Sequence, residues 1–466
     1  MKNIISDNLN GILDLQGKGE GYDSSFNVQD SLVTIIPLNG SAKRHSHVLS
    51  YNDGSNEKDD WLFGLAEDNC KIAFLKKTHL AQRFSSSIDL SASKFFAPII
   101  VKASKPKDID LKTFDAIEFR CGIVDILHLS ALAINEEYSQ RRITFKEKET
   151  FTYRYEVTVN KEKFEIVYSV DIGEVVMEAG KIPDLRSEIH SFVRFNFTEE
   201  KSLNDIEKYY SYAIHLFQFC AGRLNVGFEI RLYKNEFCGD KRIINPAPIF
   251  VKFQDGFDDY ANDNIKFTDL IRFQLLGDRL PNVFELLNDK KKQPHLLFLP
   301  KKNKQVYKIL YTDITDMCVA FEKEYSFLNK TKDEINQNAA KNLTEKLLYL
   351  VEQEIECPEC VKLKATNILN SQLKNFSPSL KEKFFMLYEE FGTSAKVTEI
   401  YEAKEFKKIV SDFVDIRHKA SHAGIVWNKS TEVFPYLKKL IYFSVLKRSG
   451  YKLNESVAIL SWMFKY

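Results

Sequence analysis

From Phe151 to Val159 the chain alternates: Phe151, Tyr153, Tyr155, Val157 and Val159 are apolar, and Thr152, Arg154, Glu156 and Thr158 lie between them. That period of two predicts a strand with one buried face. Residues 160 to 163 read as a turn, and Phe164 to Val170 as the returning strand of a hairpin. Further strands are predicted at Leu32 to Leu38, Trp61 to Leu65, Lys71 to Leu75, Ala97 to Val101, Ala116 to Leu129, Ile189 to Phe197 and Phe228 to Tyr233. So many short strands point to a sandwich or barrel-like sheet. One helix interrupts them, Ser202 to about Cys220, with Leu203, Ile206, Tyr210, Ala213, Ile214 and Phe217 on one face and Gly222 as its stop.

Beyond residue 260 the period lengthens to that of a helix. It starts at Phe267, Leu270, Ile271, Leu275 and Leu276, and Pro281 is expected to break or kink it. Residues 289 to 304, with lysine runs, Pro294 and Pro300, read as a hinge in which His295 to Leu299 can pack. Thr331 and Glu334 form a capping-box pattern ahead of Ala339, Leu343, Leu347, Leu350 and Ile355. Ser379, Glu402, Thr431 and Asn454 open later helices, and together these predict a bundle. The fold class is therefore α+β: a β-rich sandwich or barrel-like domain over 1–260, a helical connector over 261–300 and an all-α bundle over 301–466.

At 466 residues the chain is too long for one core. Its N-terminal residues lack the apolar stretch of a signal peptide, no apolar run approaches membrane-spanning length, and the seven cysteines are scattered. These features predict a cytoplasmic protein with reduced thiols and no membrane partner. The net charge of +1 divides unevenly, +6 from residue 296 onward and −5 before it. The basic excess lies with the helical half, where a polyanion would need it.

From residue 296 onward the arginines are Arg417 and Arg448, against 25 lysines. Arg417 stands four residues after Phe413 in a helix whose stripe is Phe406, Val410, Phe413 and Ala420, so it is expected on the core-facing side. Positions three and four away hold Phe413, Val414, Ala420 and Ser421, none of them acidic, so a partner must come from another element. A permanently charged planar fork suits phosphate oxygens. His422 follows in the last turn before Gly424, where the negative end of the helix dipole favours imidazolium and suits proton transfer. Five residues apart, the two point about 140° from each other, with about 7.5 Å of rise between them. One helix alone makes a poor site, whereas two copies about a two-fold axis bring both pairs into one cleft, so a homodimer is expected.

Arg417, the polar His418 and His422 resemble the signature of the HEPN ribonuclease domain, an all-helical bundle with Arg, a polar residue, a few more positions and His. The resemblance covers about 160 C-terminal residues. It implies metal-independent cleavage of RNA, in which the 2′-hydroxyl attacks the adjacent phosphate to leave a cyclic phosphate and a 5′-hydroxyl. His422 would move protons, Arg417 would stabilise the phosphorane, and His418 would orient the phosphate. The N-terminal portion, with Gly21-Tyr22-Asp23 and a strand-rich course up to Pro246-Ala247-Pro248-Ile249, looks like that of ApeA-type anti-phage proteins. That likeness implies abortive-infection defence, a phage-derived trigger, an N-terminal sensor or restraint, and an RNA substrate, with transfer RNA as a candidate. The alternative is a non-catalytic helical module for nucleotide, RNA or protein, with Arg417 in a structural ion pair.

Other motifs compete with this one. His418 and His422 have the spacing of an HExxH zinc site, but Lys419 stands in place of the catalytic Glu. Cys357-Pro358-Glu359-Cys360 is a single CxxC: half a zinc site, including one shared between protomers, a redox pair, or two ordinary thiols in a turn. Otherwise no cofactor is expected. Gly11 and Gly17-Lys18-Gly19 miss the phosphate-loop spacing by one residue and read as a turn, and Lys43-Arg44-His45-Ser46-His47 reads as a solvated basic loop.

Overall fold

The computed structural model describes residues 5, 8–14, 24–29, 32–38, 61–75, 82–84, 92–106, 109–137, 142–172, 189–238, 241–244, 247–253, 270–301, 309–354, 356–373, 378–419 and 429–464. The chain divides into two compact units, Met1–Ile214 with Asn225–Asn264, and His215–Leu224 with Ile265–Tyr466. It is an α+β protein, strand-rich in its N-terminal half and helical in its C-terminal half. The segment expected as a connector, 261–300, falls from Ile265 onward in the second unit.

The strands of the first unit begin with β1 Asn8–Asp14, β2 Ser24–Gln29, β3 Leu32–Pro37, β4 Trp61–Ala66, β5 Lys71–Leu75 and β6 Gln82–Phe84. They continue with β7 Ala92–Phe96, β8 Ile99–Ala103, β9 Thr113–Arg120, β10 Ile134–Glu137, β11 Arg142–Phe145 and β12 Tyr153–Val159. The last are β13 Glu162–Ile172, β14 Ile189–Ser202, β15 Glu229–Tyr233, β16 Asn235–Cys238, β17 Lys241–Ile244 and β18 Ile249–Phe253. Fourteen of these form one sheet in the order β12-β13-β14-β9-β15-β18-β8-β5-β4-β1-β2-β3-β7-β6, and β10-β11 and β16-β17 are separate pairs. Phe26 on β2 and Phe74 on β5 are three strands apart, about 14 Å in a flat sheet. Their ring centroids are 5.0 Å apart, so the sheet curls inward here. Gly11 and Gly64, on the two strands between, make the curl possible. A Cβ at Gly11 would run into the Leu65 carbonyl oxygen and the Phe26 ring, and one at Gly64 into the Ile12 carbonyl oxygen. Gly11 is thus a strand residue, while 17–21 and 43–47 lie outside the described residues.

The stretch expected as one strand, Ala116 to Leu129, is strand β9 followed by helix α1 Gly122–Leu127. Continuous apolarity concealed the change of period: Ile123, Val124 and Leu127 are buried at helical spacing. After β14, Ser202 and Asp205 form a reciprocal capping box on a short 3₁₀ turn. Helix α2 Ile206–Ala221 follows and ends at Gly222, whose φ of 64° is left-handed. Its residues up to Ile214 belong to the first unit, where Tyr209 packs among Phe114, Phe164 and Phe197.

The second unit begins with the rest of α2 and continues through α3 Phe273–Leu276, α4 Leu280–Asn288, α5 Tyr311–Tyr349, α6 Glu359–Ile368, α7 Leu380–Phe391, α8 Ala403–Lys419, α9 Phe434–Arg448 and α10 Leu453–Phe464. Pro281 does not itself end a helix: the expected break falls just ahead of it, α3 ending at Leu276, and Pro281 stands in the first turn of α4, where its missing N–H costs nothing. Leu296, Phe298 and Leu299 in the expected hinge are buried. Thr331 and Glu334 do not start a helix either, because α5 runs unbroken through them from Leu310, whose N–H donates to the Asp313 side chain at 2.8 Å. The buried stripe Ile314, Met317, Cys318, Phe321 and Tyr325 already fixes the helix upstream of that pattern. Ser379 does cap α7, accepting from the Glu382 N–H at 3.3 Å. The core joins α5, α7, α8 and α9: the Phe321 and Phe384 rings stack at 3.8 Å, and Phe413 meets Phe384 and Phe434 edge-on or tilted at 6.2 and 6.3 Å.

Candidate functional site

Helix α8 reaches the site because one of its faces is apolar. Phe406, Val410, Phe413 and Val414 are buried, which leaves the last turn at the rim of the bundle. Arg417 sits there with 29% of its side chain exposed, at the edge of the buried stripe rather than within it. Its partner comes from α5, as the lack of an in-helix acid required: Nη1 lies 3.5 Å from Oε1 of Glu322, itself 38% exposed. That separation is longer than a good charge-assisted hydrogen bond. One turn earlier on α5, burial pushes the Cys318 thiol up to about 12, with Glu322 adding to the rise and Arg417 opposing it, so this sulfur is no thiolate nucleophile at neutral pH. Further back on α8, Lys381 of α7 bridges Asp415 at 2.9 Å and the Ser411 hydroxyl at 2.7 Å.

His418 lies in α8, but its side chain is outside the described residues, and so is all of His422. The structure therefore places Arg417 alone of the three residues in the signature. It also supplies a neighbour that the sequence did not single out. Glu322 meets Arg417 only through the packing of α8 on α5, and no local spacing marks such a pair.

The other arginine beyond residue 296 is held differently. Arg448, on α9, donates from Nη1 to Oε1 of Glu324 at 2.5 Å and from Nη2 to the Lys292 carbonyl oxygen, and its guanidinium lies 3.9 Å from the Phe327 ring centroid. Glu324 is fully buried and accepts a second bond from the Ser444 hydroxyl at 2.6 Å. Burial pushes its carboxyl above the usual range, while Arg448 and Ser444 oppose the rise.

The first unit holds a third charged constellation, on one face of the sheet. Register puts Arg194 of β14 and Arg231 of β15 on either side of Glu118 on β9. Glu118 is fully buried and accepts from Arg120 Nε at 2.6 Å, from Arg194 Nε at 2.8 Å and from the Tyr233 hydroxyl at 3.0 Å. Arg120 also bonds Asp171 at 2.8 Å. These charges satisfy one another, which is how a structural network is built.

Cys357 and Cys360 are free thiols, half-buried and exposed respectively, beside the start of α6. Among the described residues no group of three or more His, Cys, Asp or Glu side chains is placed to hold a metal ion, and no helix is long and apolar enough to cross a membrane. Compared with known proteins, the chain matches no family model, no curated protein and no solved structure.

Proposed function

We propose that the helical unit is a metal-independent endoribonuclease of the HEPN type, acting as a homodimer on RNA. The observation that supports it most is the state of Arg417, a half-exposed guanidinium whose ion pair among the described residues is a 3.5 Å contact to a half-exposed carboxylate. A pair of that kind is worth about 0–1 kcal/mol, too little to account for an arginine in a lysine-rich half. A phosphate offers the same fork two charged oxygens in place of one distant one. In the proposed reaction the 2′-hydroxyl oxygen forms a bond to phosphorus and gives up its proton. The bond from phosphorus to the 5′-oxygen breaks, and that oxygen takes a proton. His422 moves protons, Arg417 offsets the phosphorane charge and His418 orients the phosphate.

In this reading the strand-rich unit senses a phage-derived trigger or restrains the nuclease, and transfer RNA is a candidate substrate because its loops present unstacked bases and a flexible 2′-hydroxyl. The second reading is a non-catalytic module for nucleotide, RNA or protein, and the Arg417–Glu322 contact is what favours it. Incubating the purified protein with total transfer RNA in EDTA separates the two. Fragments ending in a 2′,3′-cyclic phosphate, absent with His422→Ala, are the expected result. Cleavage lost in EDTA and restored by zinc would overturn the metal-free mechanism, and no cleavage under any condition that triggers the protein would leave the binding module.

A further inference from the structure

The longest helix, α5, is packed along only part of its length. Its first half buries Ile314, Met317, Cys318, Phe321 and Tyr325, whereas from Glu334 onward only Ala340 and Thr344 are buried among the described residues. A π-helical turn, Leu350–Glu354, ends α5, and a second, Leu369–Leu373, ends α6. The first touches α6 and the second touches α5, so the two helices run back along each other as a hairpin. The Lys362 ammonium donates across it to the Glu352 carbonyl oxygen at 3.3 Å. No residue of α6 is buried. Leu343 and Tyr349 on one arm and Val361, Leu363 and Ile368 on the other are exposed.

The apex of this hairpin is Cys357-Pro358-Glu359-Cys360. Pro358 caps α6, its carbonyl oxygen accepting from the Val361 and Lys362 N–H groups at 2.9 and 3.2 Å. Glu359 and Cys360 are the first two helical residues, and such N–H groups have no partner within their own helix. The spacing is that of one half of a structural zinc site, which is tetrahedral and takes four ligands. With no cluster of three or more candidate ligands among the described residues, the described part of the chain offers two.

We propose that this apex is half of a four-thiolate site for a thiolate-preferring divalent cation such as zinc, completed by the apex of a second copy of the chain. A second copy supplies the missing half, two more sulfurs of identical geometry about a two-fold axis. It also brings a second set of exposed apolar side chains against the first. On binding, the four thiols release four protons and the cation gains four sulfur ligands, with no change of oxidation state. This site stands apart from the ribonuclease reading, since its residues belong to a different hairpin.

The test is titration of the full-length, reduced, chelator-stripped protein with cobalt(II), followed by its sulfur-to-metal and ligand-field absorption, and then with zinc. The expected result is a four-thiolate tetrahedral spectrum saturating at one cation per two chains, with association of chains upon metal addition. Cys360→Ser, at an exposed position, should abolish both the spectrum and the association. Saturation at one cation per chain, a spectrum with fewer thiolates, or titration unchanged by Cys360→Ser would each overturn it.

Discussion

Glu322 and Glu324 lie two residues apart on α5, and each meets one of the two arginines found from residue 296 onward. Glu324 and Arg448 are 0% and 8% exposed, 2.5 Å apart, with a serine hydroxyl, a carbonyl oxygen and an aromatic face filling out their contacts. Glu322 and Arg417 are 38% and 29% exposed and 3.5 Å apart. A two-residue step turns a helix by about 200°, enough to move a side chain from the bundle's interior to its rim. The same residue types at nearly the same height thus do different work. Inside, the arginine neutralises a charge that the fold has already buried. At the rim the contact is longer and both partners are partly exposed, so it contributes little to the fold.

The largest effects should come from breaking the closed pairs. Arg448→Ala leaves Glu324 buried without its counter-charge and should cost about 3–5 kcal/mol in urea unfolding. Glu118→Ala removes the buried carboxylate that Arg194 pairs with and leaves Arg120 with Asp171, and should cost a similar amount. If either loss stays under about 1 kcal/mol, burial is not what distinguishes these pairs from the one at the rim.

The Arg448→Ala loss should itself depend on pH. The folded carboxyl of Glu324 is raised above its ordinary 4.5, so the folded form binds a proton more readily than the unfolded form. The penalty for an ionised Glu324 is therefore present above the raised folded value. It is relieved as pH falls, and gone below about 4.5. The stability gap between wild type and Arg448→Ala should narrow from pH 7 toward pH 4.5, measured by denaturant titration at each pH. A gap that widened would place the cost elsewhere.

Removing the open pair should be nearly silent for stability. Arg417→Ala and Glu322→Ala are each expected within about 1 kcal/mol of wild type. Arg417→Lys keeps the charge but loses the planar fork, and should retain stability while cleaving RNA far more slowly. If lysine restores full cleavage, charge alone suffices and the fork has no special role.

Much of this architecture was legible in the chain. The strict alternation around Tyr153 to Val159 marked β12, Gly222 marked the end of α2, and Ser379 marked the start of α7. The misses share a cause, which is that local patterns compete with tertiary packing. An apolar run hid the switch from β9 to α1. A capping pattern at Thr331 and Glu334 lost to the buried stripe already driving α5. Glu324 was within reach of the sequence, since it falls three residues after Phe321 on that stripe, where an acid demands a partner. Glu322 was not, because its contact with Arg417 exists only once two helices distant in sequence have packed.

Whether Arg417 serves RNA chemistry rather than the fold is decided most directly by taking Arg417→Ala and Arg448→Ala through the same two assays, urea unfolding and RNA cleavage per folded molecule. Arg417→Ala is expected to unfold within about 1 kcal/mol of wild type and to have lost cleavage. Arg448→Ala is expected to be destabilised by about 3–5 kcal/mol and still to cleave wherever it remains folded. Arg417→Ala that cleaves as well as wild type, or that unfolds as readily as Arg448→Ala, would contradict that assignment.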